Sequence, residues 1–252
     1  MYCFYLPEYF CLLGQRDTDK LAVQEQFGAR GDGAPIQQCL AQCAKDFGLW
    51  IAGGTLPLST KDPARVRNSL LVFNPQGECA ARYDKIHLFR FDNGTERYDE
   101  SRVLEPGSAP VLFDLPTKSG EKGGEVFRVG LSVCYDLRFP ELYRHYAAQG
   151  AHLLLAPSAF TYTTGQAHWE LLLRTRAVEN LSYMVAAAQG GTHENGRRTW
   201  GHSMVVDAWG QVLAKQAEGP GVVLADISLA ALQERRRQLP ALEHRVVRLQ
   251  PA

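Results

Sequence analysis

An α/β fold, layered in the α+β manner, is what this sequence predicts, and three observations predict it. Short apolar runs bounded by Gly, Pro and Asn alternate along the chain with segments of helical periodicity. The 252 residues, 45% of them hydrophobic, are enough to bury one sizeable core. No internal repeat, low-complexity tract or long linker divides them, so residues 1–252 read as a single domain.

The elements follow in chain order. Pro35 at a first turn, Ile36, Leu40, Cys43 and Phe47 near helical spacing, and Gly48 as a stop predict a helix over Pro35–Phe47. Residues 49–58 read as a strand. Residues 69–73 and 78–83, joined by Asn74-Pro75-Gln76-Gly77, read as a hairpin that delivers Lys85 to a strand end. The Gly- and Lys-rich patch at 117–124 reads as a loop between strands. Residues 126–133 form an apolar strand, followed by a short helix at 141–149, a strand at 152–156 and a longer helix at 167–181. Further strands are expected at 183–189, 202–207, 211–214 and 222–227, and Ser228 caps a basic helix running to Arg237.

Charge and cysteine usage exclude several function classes. Twenty-seven basic and 27 acidic residues cancel, giving no electrostatic case for nucleic acid or an anionic membrane. A small-molecule substrate is the better fit. The six cysteines, at 3, 11, 39, 43, 79 and 134, show no paired spacing, and neither a CxxC pair nor an HExxH helix points to zinc. Reduced thiols in a cytoplasm are the economical reading. The apolar opening lacks a basic region and is broken by Pro7 and Glu8, so it makes a poor signal peptide. No stretch approaches the ~18 apolar residues that a bilayer span needs.

The chemistry centres on Cys134. The apolar run before it cannot continue through Tyr135-Asp136-Leu137-Arg138-Phe139-Pro140, so the thiol stands at a strand end, where a nucleophile belongs. Taken alone it also reads as small apolar filler, the commoner role of a buried cysteine. Two other residues change that balance. Glu8, inside Tyr5-Leu6-Pro7-Glu8-Tyr9-Phe10, is a carboxylate in an apolar segment, where desolvation favours a proton acceptor near neutral pH. Lys85, in Tyr83-Asp84-Lys85-Ile86-His87-Leu88-Phe89, is an ammonium placed to face an oxyanion. Each alone also reads as a surface charge with apolar neighbours.

Together, in the order Glu, Lys, Cys and with these flanks, they resemble the nitrilase or carbon–nitrogen hydrolase superfamily. The resemblance covers nearly the whole chain. It extends through Cys134-Tyr135-Asp136-Leu137-Arg138-Phe139-Pro140-Glu141, Pro157-Ser158-Ala159-Phe160, Gly165-Gln166-Ala167-His168-Trp169-Glu170, Arg174-Thr175-Arg176-Ala177-Val178-Glu179-Asn180 and Gly201-His202-Ser203-Met204-Val205-Val206-Asp207. Arg138-Phe139-Pro140-Glu141, Ala186-Ala187-Ala188-Gln189 and Glu218-Gly219-Pro220-Gly221 look most like the branch that hydrolyses deaminated glutathione, with the omega-amidase branch close behind. The resemblance implies a four-layer αββα sandwich. It also implies a first strand and helix ahead of the Leu-Pro-Glu strand, which this chain lacks, and the expectation is a start assigned downstream of the true one.

The resemblance further implies a thioester mechanism that needs no metal or organic cofactor. Glu8 takes the thiol proton, Cys134 attacks the amide carbonyl, and Lys85 with the backbone N–H of Tyr135 holds the oxyanion. Ammonia then leaves, and water activated by Glu8 releases the acid. Glu100 matches a second glutamate that supports the lysine or the incoming nucleophile, with Asp99 and Glu96 as neighbours that a gap would exchange for it. The loop at 90–94 departs from the usual family pattern.

Arg138 reads either as a bidentate clamp for a substrate carboxylate or as an ion pair with Glu141 or Asp136, and the resemblance favours substrate. Phe160 and Thr164 are expected to wall the pocket by match to the amidase branch. His168 and His202 read as structural, and Arg176 with Glu179 as a helix-surface pair.

Deaminated glutathione is thus the first expected substrate. The ω-amides α-ketoglutaramate and α-ketosuccinamate come next, then an N-carbamoyl amide; a non-catalytic scaffold from a truncated chain is the alternative of another class. A homodimer is expected through segments 141–149, 167–181 and the apolar tail at 239–249.

Overall fold

The computed structural model describes residues 2–29, 31–116 and 126–247. The expected loop at 117–124 therefore lies outside the described residues.

A five-stranded sheet is built around one long strand. Its members are β1 (Cys3–Tyr5), β2 (Trp50–Ala52), β3 (Leu56–Ser59), β4 (Val66–Phe73) and β5 (Cys79–Asp84). β4 runs antiparallel to β2, β3 and β5, while β1 lies parallel to β2. Side chains alternate along β4, so Leu71 and Phe73 face one way and Leu70 and Val72 the other. The first pair packs with Leu40 and Ala44 of helix α1 (Pro35–Phe47), which begins at Pro35 and stops at Gly48 in the left-handed conformation, as the sequence predicts. The second pair faces the main core.

The strand expected over 49–58 breaks in two. Gly54 adopts φ +45°, and a Cβ there would lie 2.1 Å from the carbonyl oxygen of Pro7. The break is thus the point where the chain bearing Glu8 crosses the sheet, at a contact only glycine permits.

The other large sheet has six strands, in the order β15-β14-β11-β10-β9-β8. These are β8 (Leu112–Pro116), β9 (Val126–Leu131), β10 (Leu153–Leu155), β11 (Tyr183–Ala186), β14 (Ser203–Val206) and β15 (Val212–Gln216). Two short hairpins lie outside both sheets: β6 (Arg90–Asp92) with β7 (Arg97–Asp99), and β12 (Gly190–Thr192) with β13 (Arg198–Trp200). β9, β10 and β11 are parallel, linked by crossover helices α2 (Pro140–Ala148) and α3 (Tyr162–Asn180). Tyr146 of α2 packs where a side chain on Gly130 would stand, and Trp169, Leu173 and Ala177 of α3 join the same core. The order of layers is therefore α1, sheet, sheet, α2 with α3: a four-layer αββα sandwich.

The strand expected at 183–189 ends at Ala186 and that at 126–133 ends at Leu131, and two further expectations differ more. α3 starts at Tyr162 rather than Ala167, because the Thr161 side chain caps it by accepting from the Thr164 amide. The strand expected at 222–227 does not form. That segment has no ladder partner among the described residues, and Val222 and Leu224 are exposed. Beyond it, Ser228 caps α4 (Leu229–Gln238) as predicted.

Candidate active site

Cys134 sits where β9 gives way to a short 3-10 helix over Cys134–Arg138. Its backbone is left-handed, φ +49°, a conformation that costs a non-glycine residue of order 1–3 kcal/mol and persists only where neighbours impose it. The imposing group is Asp136, which is fully buried. Its carboxylate accepts from the Val133 amide (2.8 Å), the Tyr83 hydroxyl (2.7 Å) and the His87 amide (3.1 Å), and also meets His87 Nδ1 (2.7 Å). The Cys134 amide donates to Pro157 O at 3.0 Å. From the other side Arg176 of α3 donates twice to Leu137 O, at 2.9 and 2.7 Å, while pairing with Glu179 at 2.7 Å. The sequence reading saw the Arg176–Glu179 pair and missed that it fastens the turn bearing the thiol.

The structure brings Glu8, Glu100 and Cys134 to the lining of one cleft, and Lys85, itself outside that lining, pairs with both glutamates. Glu8 is 1% exposed and fully engaged: Oε1 accepts from Lys85 Nζ (2.9 Å) and Asn68 Nδ2 (2.8 Å), and Oε2 from the Ala159 amide (2.8 Å). The Tyr9 amide donates to Thr55 Oγ1 (2.9 Å) and the Leu6 amide to Ala52 O (3.0 Å), which pins the Glu8 backbone to the broken strand. Glu100 accepts from Lys85 Nζ, the Tyr9 hydroxyl (3.0 Å) and the Phe89 amide (2.7 Å). Neither neighbour bonds Lys85: Asp99, which also lines the cleft, caps the short helix that Glu100 begins, and Glu96 bonds Thr163 and Tyr98. Asn68, absent from the sequence reading, touches Glu8 through its side chain and accepts the Lys85 amide on its carbonyl (2.9 Å).

The electrostatics follow from this packing. Burial pulls the Lys85 ammonium towards deprotonation, but the Glu100 and Glu8 carboxylates outweigh it and hold its pKa well above the usual lysine value. Burial also pushes the Cys134 thiol well above its ordinary value, and Glu8 adds to this. Lys85 and the Ala159 amide pull the other way without winning. Cys134 therefore rests as a thiol, with the Glu8 carboxylate acting on it through space.

The cleft holds about 550 Å³, counting its open mouth. Glu8, Tyr9, Glu100, Cys134 and Ala159 line it together with Phe89, Tyr98, Thr161, Asp17, Lys20 and Arg197. Tyr135, Arg138, Phe160 and Thr164 are not among its lining residues. Tyr135 packs edge-on against Phe89 (5.1 Å) and Phe139 (5.3 Å). Arg138 forms no ion pair with Asp136 or Glu141 among the described residues; its guanidinium lies over the Tyr135 and Phe160 rings and meets His168 at 3.3 Å. Phe160 is buried edge-on against Trp169, and the Thr164 hydroxyl meets that of Thr161 at 2.8 Å. Thr161 takes the wall position expected of Thr164. Lys20 and Arg197 had no signal in the sequence: both belong to charged surface-like stretches that only folding brings to the cleft.

A buried Glu–Lys–Cys constellation at a strand end of an αββα sandwich defines a class of hydrolase. The carbon–nitrogen hydrolase family model matches residues 4–237, so the chain belongs to that family and is an amidase of the nitrilase superfamily. It is 43% identical to a deaminated glutathione amidase of Yersinia enterocolitica over 83% of this chain and 71% of that protein. It is 41% identical to the omega-amidase NIT2 of Homo sapiens, over 82% of this chain and 72% of that protein. Among solved structures, Saccharomyces cerevisiae Nit3, a member of the nitrilase superfamily, aligns with a TM-score of 0.79 and 29% identity, covering 95% of this chain and 81% of that one.

Proposed function

We propose that this protein hydrolyses the amide of a small carboxylate-bearing acid of the deaminated glutathione type, through a thioester on Cys134. The observation that carries the reading is Lys85 held between Glu8 and Glu100, two carboxylates that line one cleft together with the buried Cys134 thiol. Glu8 removes the Sγ proton as the S–C bond forms, and the carbonyl π electrons move onto oxygen. Lys85 Nζ and the Tyr135 amide, in the first turn of the 3-10 helix, stabilise that oxyanion. Collapse breaks the C–N bond, and Glu8 returns the proton to the departing amine. Glu8 then deprotonates a water that attacks the thioester; the C–S bond breaks and the thiol is restored. Glu100 keeps the ammonium charged and aimed throughout.

The leaving group depends on the amide. A γ-linked deaminated glutathione releases the amine of its cysteinyl residue, whereas ammonia, expected above for both, belongs to a primary ω-amide. The similarity to an omega-amidase supports ω-amides such as α-ketoglutaramate as the second reading. Turnover of the two substrate types, followed by release of the keto acid, tests the proposal; no turnover above a Cys134→Ala control on either would sink it. Six free thiols support a cytoplasmic setting, and no helix among the described residues is long and apolar enough to cross a membrane.

A homodimer completes the reading. Leu171 and Val178, seven apart on one face of α3, are exposed, as are Val246 and Val247 of the tail. Light scattering at micromolar concentration on the full chain checks this, and a monomer would exclude it.

A further inference from the structure

The wall of the cleft carries a cation that the chemistry above does not use. Lys20 lies in a short 3-10 helix over Asp17–Leu21 and is only 4% exposed. Among the described residues its Nζ makes no hydrogen bond. Its acidic partner is Asp17 Oδ1 at 3.6 Å, and the Tyr9 ring lies beneath it at 4.7 Å. A buried ammonium left this way is costly, and burial indeed pulls its pKa below the usual lysine value.

Arg197, from the turn between β12 and β13, comes to the same place. Its Nη1 is 3.5 Å from the same Asp17 oxygen, and its guanidinium stacks over the Tyr98 ring at 4.9 Å. One half-exposed carboxylate oxygen thus sits between two cations, too far from either for a good hydrogen bond. Among the described residues Asp17 is the one carboxylate within 4 Å of both cations, in the wall of the cleft that holds Cys134; Glu8, Asp99 and Glu100 line the same cleft.

We propose that Lys20 and Arg197 form the subsite that receives the substrate's free carboxylate, setting selectivity for acidic amides over neutral ones. This rests on the amidase reading of the same cleft. Asp17 marks where a carboxylate oxygen lies between the two cations, and an incoming carboxylate supplies the short acceptors that Asp17 does not. The competing explanation is that Lys20 merely offsets the charge of Glu100 and Glu8 through space; that role concerns no ligand.

The test uses binding rather than turnover. Cys134 in the full chain is alkylated with iodoacetamide, followed by mass spectrometry, in the presence of glutarate or its neutral counterpart 1,5-pentanediol. In the wild type, glutarate protects at a concentration at least about tenfold lower than the diol. Lys20→Gln and Arg197→Gln each raise the glutarate concentration for half-protection about tenfold and leave that of the diol unchanged, while Lys20→Arg retains most of the preference. Equal protection by the two ligands in the wild type, or variants that lose both ligands equally or neither, would overturn the proposal. Selective protection by glutarate in a protein that hydrolyses no carboxylate-bearing amide would sink the amidase specificity and leave the subsite standing. Circular dichroism confirms that each variant is folded.

Discussion

Lys85 and Lys20 are buried to nearly the same depth, 1% and 4% exposed, yet sit under opposite electrostatic regimes, Lys20 in the wall of the cleft and Lys85 bonded to two glutamates that line it. Lys85 is paired with two carboxylates at hydrogen-bond distance, and its pKa is driven up. Lys20 has a tyrosine face and one distant carboxylate, and its pKa is driven down. Burial therefore says little about what a charge does; its partners decide. A saturated cation is held in place by its partners, whereas an undersatisfied one in a cleft wall has bonds still to give.

The largest expected effects test the saturated side. Cys134→Ala abolishes turnover, and Lys85→Ala or Glu8→Gln lowers kcat at least ~10²-fold, the usual worth of a general base or an oxyanion donor. Lys20→Gln acts mainly on KM for a carboxylate-bearing amide. Steady-state kinetics on one such amide measure all four. A kcat loss in Lys20→Gln as large as that in Lys85→Ala would collapse the contrast between the two lysines.

A smaller effect separates Lys20 from Arg138. The guanidinium of Arg138 is satisfied by two ring faces and His168 and stands outside the cleft lining. Arg138→Ala should raise KM less than Lys20→Gln does. The reverse order would restore the carboxylate clamp to Arg138, as its place in the motif predicts.

The thiol offers a pH test of the same field. Because burial and Glu8 hold the Cys134 pKa well above its ordinary value, the thiolate fraction keeps growing where a free cysteine, with a pKa of ~8.5, has levelled off. Alkylation of Cys134 by iodoacetamide should keep rising with pH beyond ~10, where a free cysteine has levelled off. A plateau at or below ~8.5 would mean that Lys85 and the Ala159 amide dominate the thiol instead.

Legibility of the molecule in its sequence divides along the same line. Pro35 and Gly48 delimit α1, and Ser228 starts α4, because these signals are local and act within one turn of backbone. Glu8, Lys85 and Cys134 are ambiguous one by one and become visible only together, through the order and flanks that resemble the superfamily; the structure pairs Lys85 with Glu8 and Glu100, which share a cleft with Cys134. Lys20, Arg197, Asn68 and Asp136 are not visible. Arg197 reaches Lys20 only after β12 and β13 fold back, and Asp136 reads as an ordinary turn residue until His87 and Tyr83 converge on it. Segment 222–227 fails for a related reason: its apolar pattern states a strand's preference, but a strand also needs a neighbour with free backbone groups, which no local pattern encodes.

The smallest expected effect is on stability, and it is opposite in sign for a lysine that serves the fold and one that serves a ligand. Replacing a structural buried lysine costs stability, while removing an undersatisfied buried charge relieves desolvation that its surroundings do not repay. Asp17, Glu100 and Glu8 favour the Lys20 charge and Arg197 opposes it, so the relief is partial, about 1 kcal/mol. In a domain of this size that is roughly 2–4 °C. Lys20→Met should therefore melt higher than the wild type at neutral pH. The folded pKa of Lys20 lies below its unfolded value of ~10.4, so wild-type stability at this site recovers as pH rises through that window. The advantage of Lys20→Met should then shrink towards pH ~10. Calorimetry of both proteins from pH 7 upwards measures it, and a lower melting temperature for Lys20→Met at pH 7 would mark Lys20 as a structural cation after all.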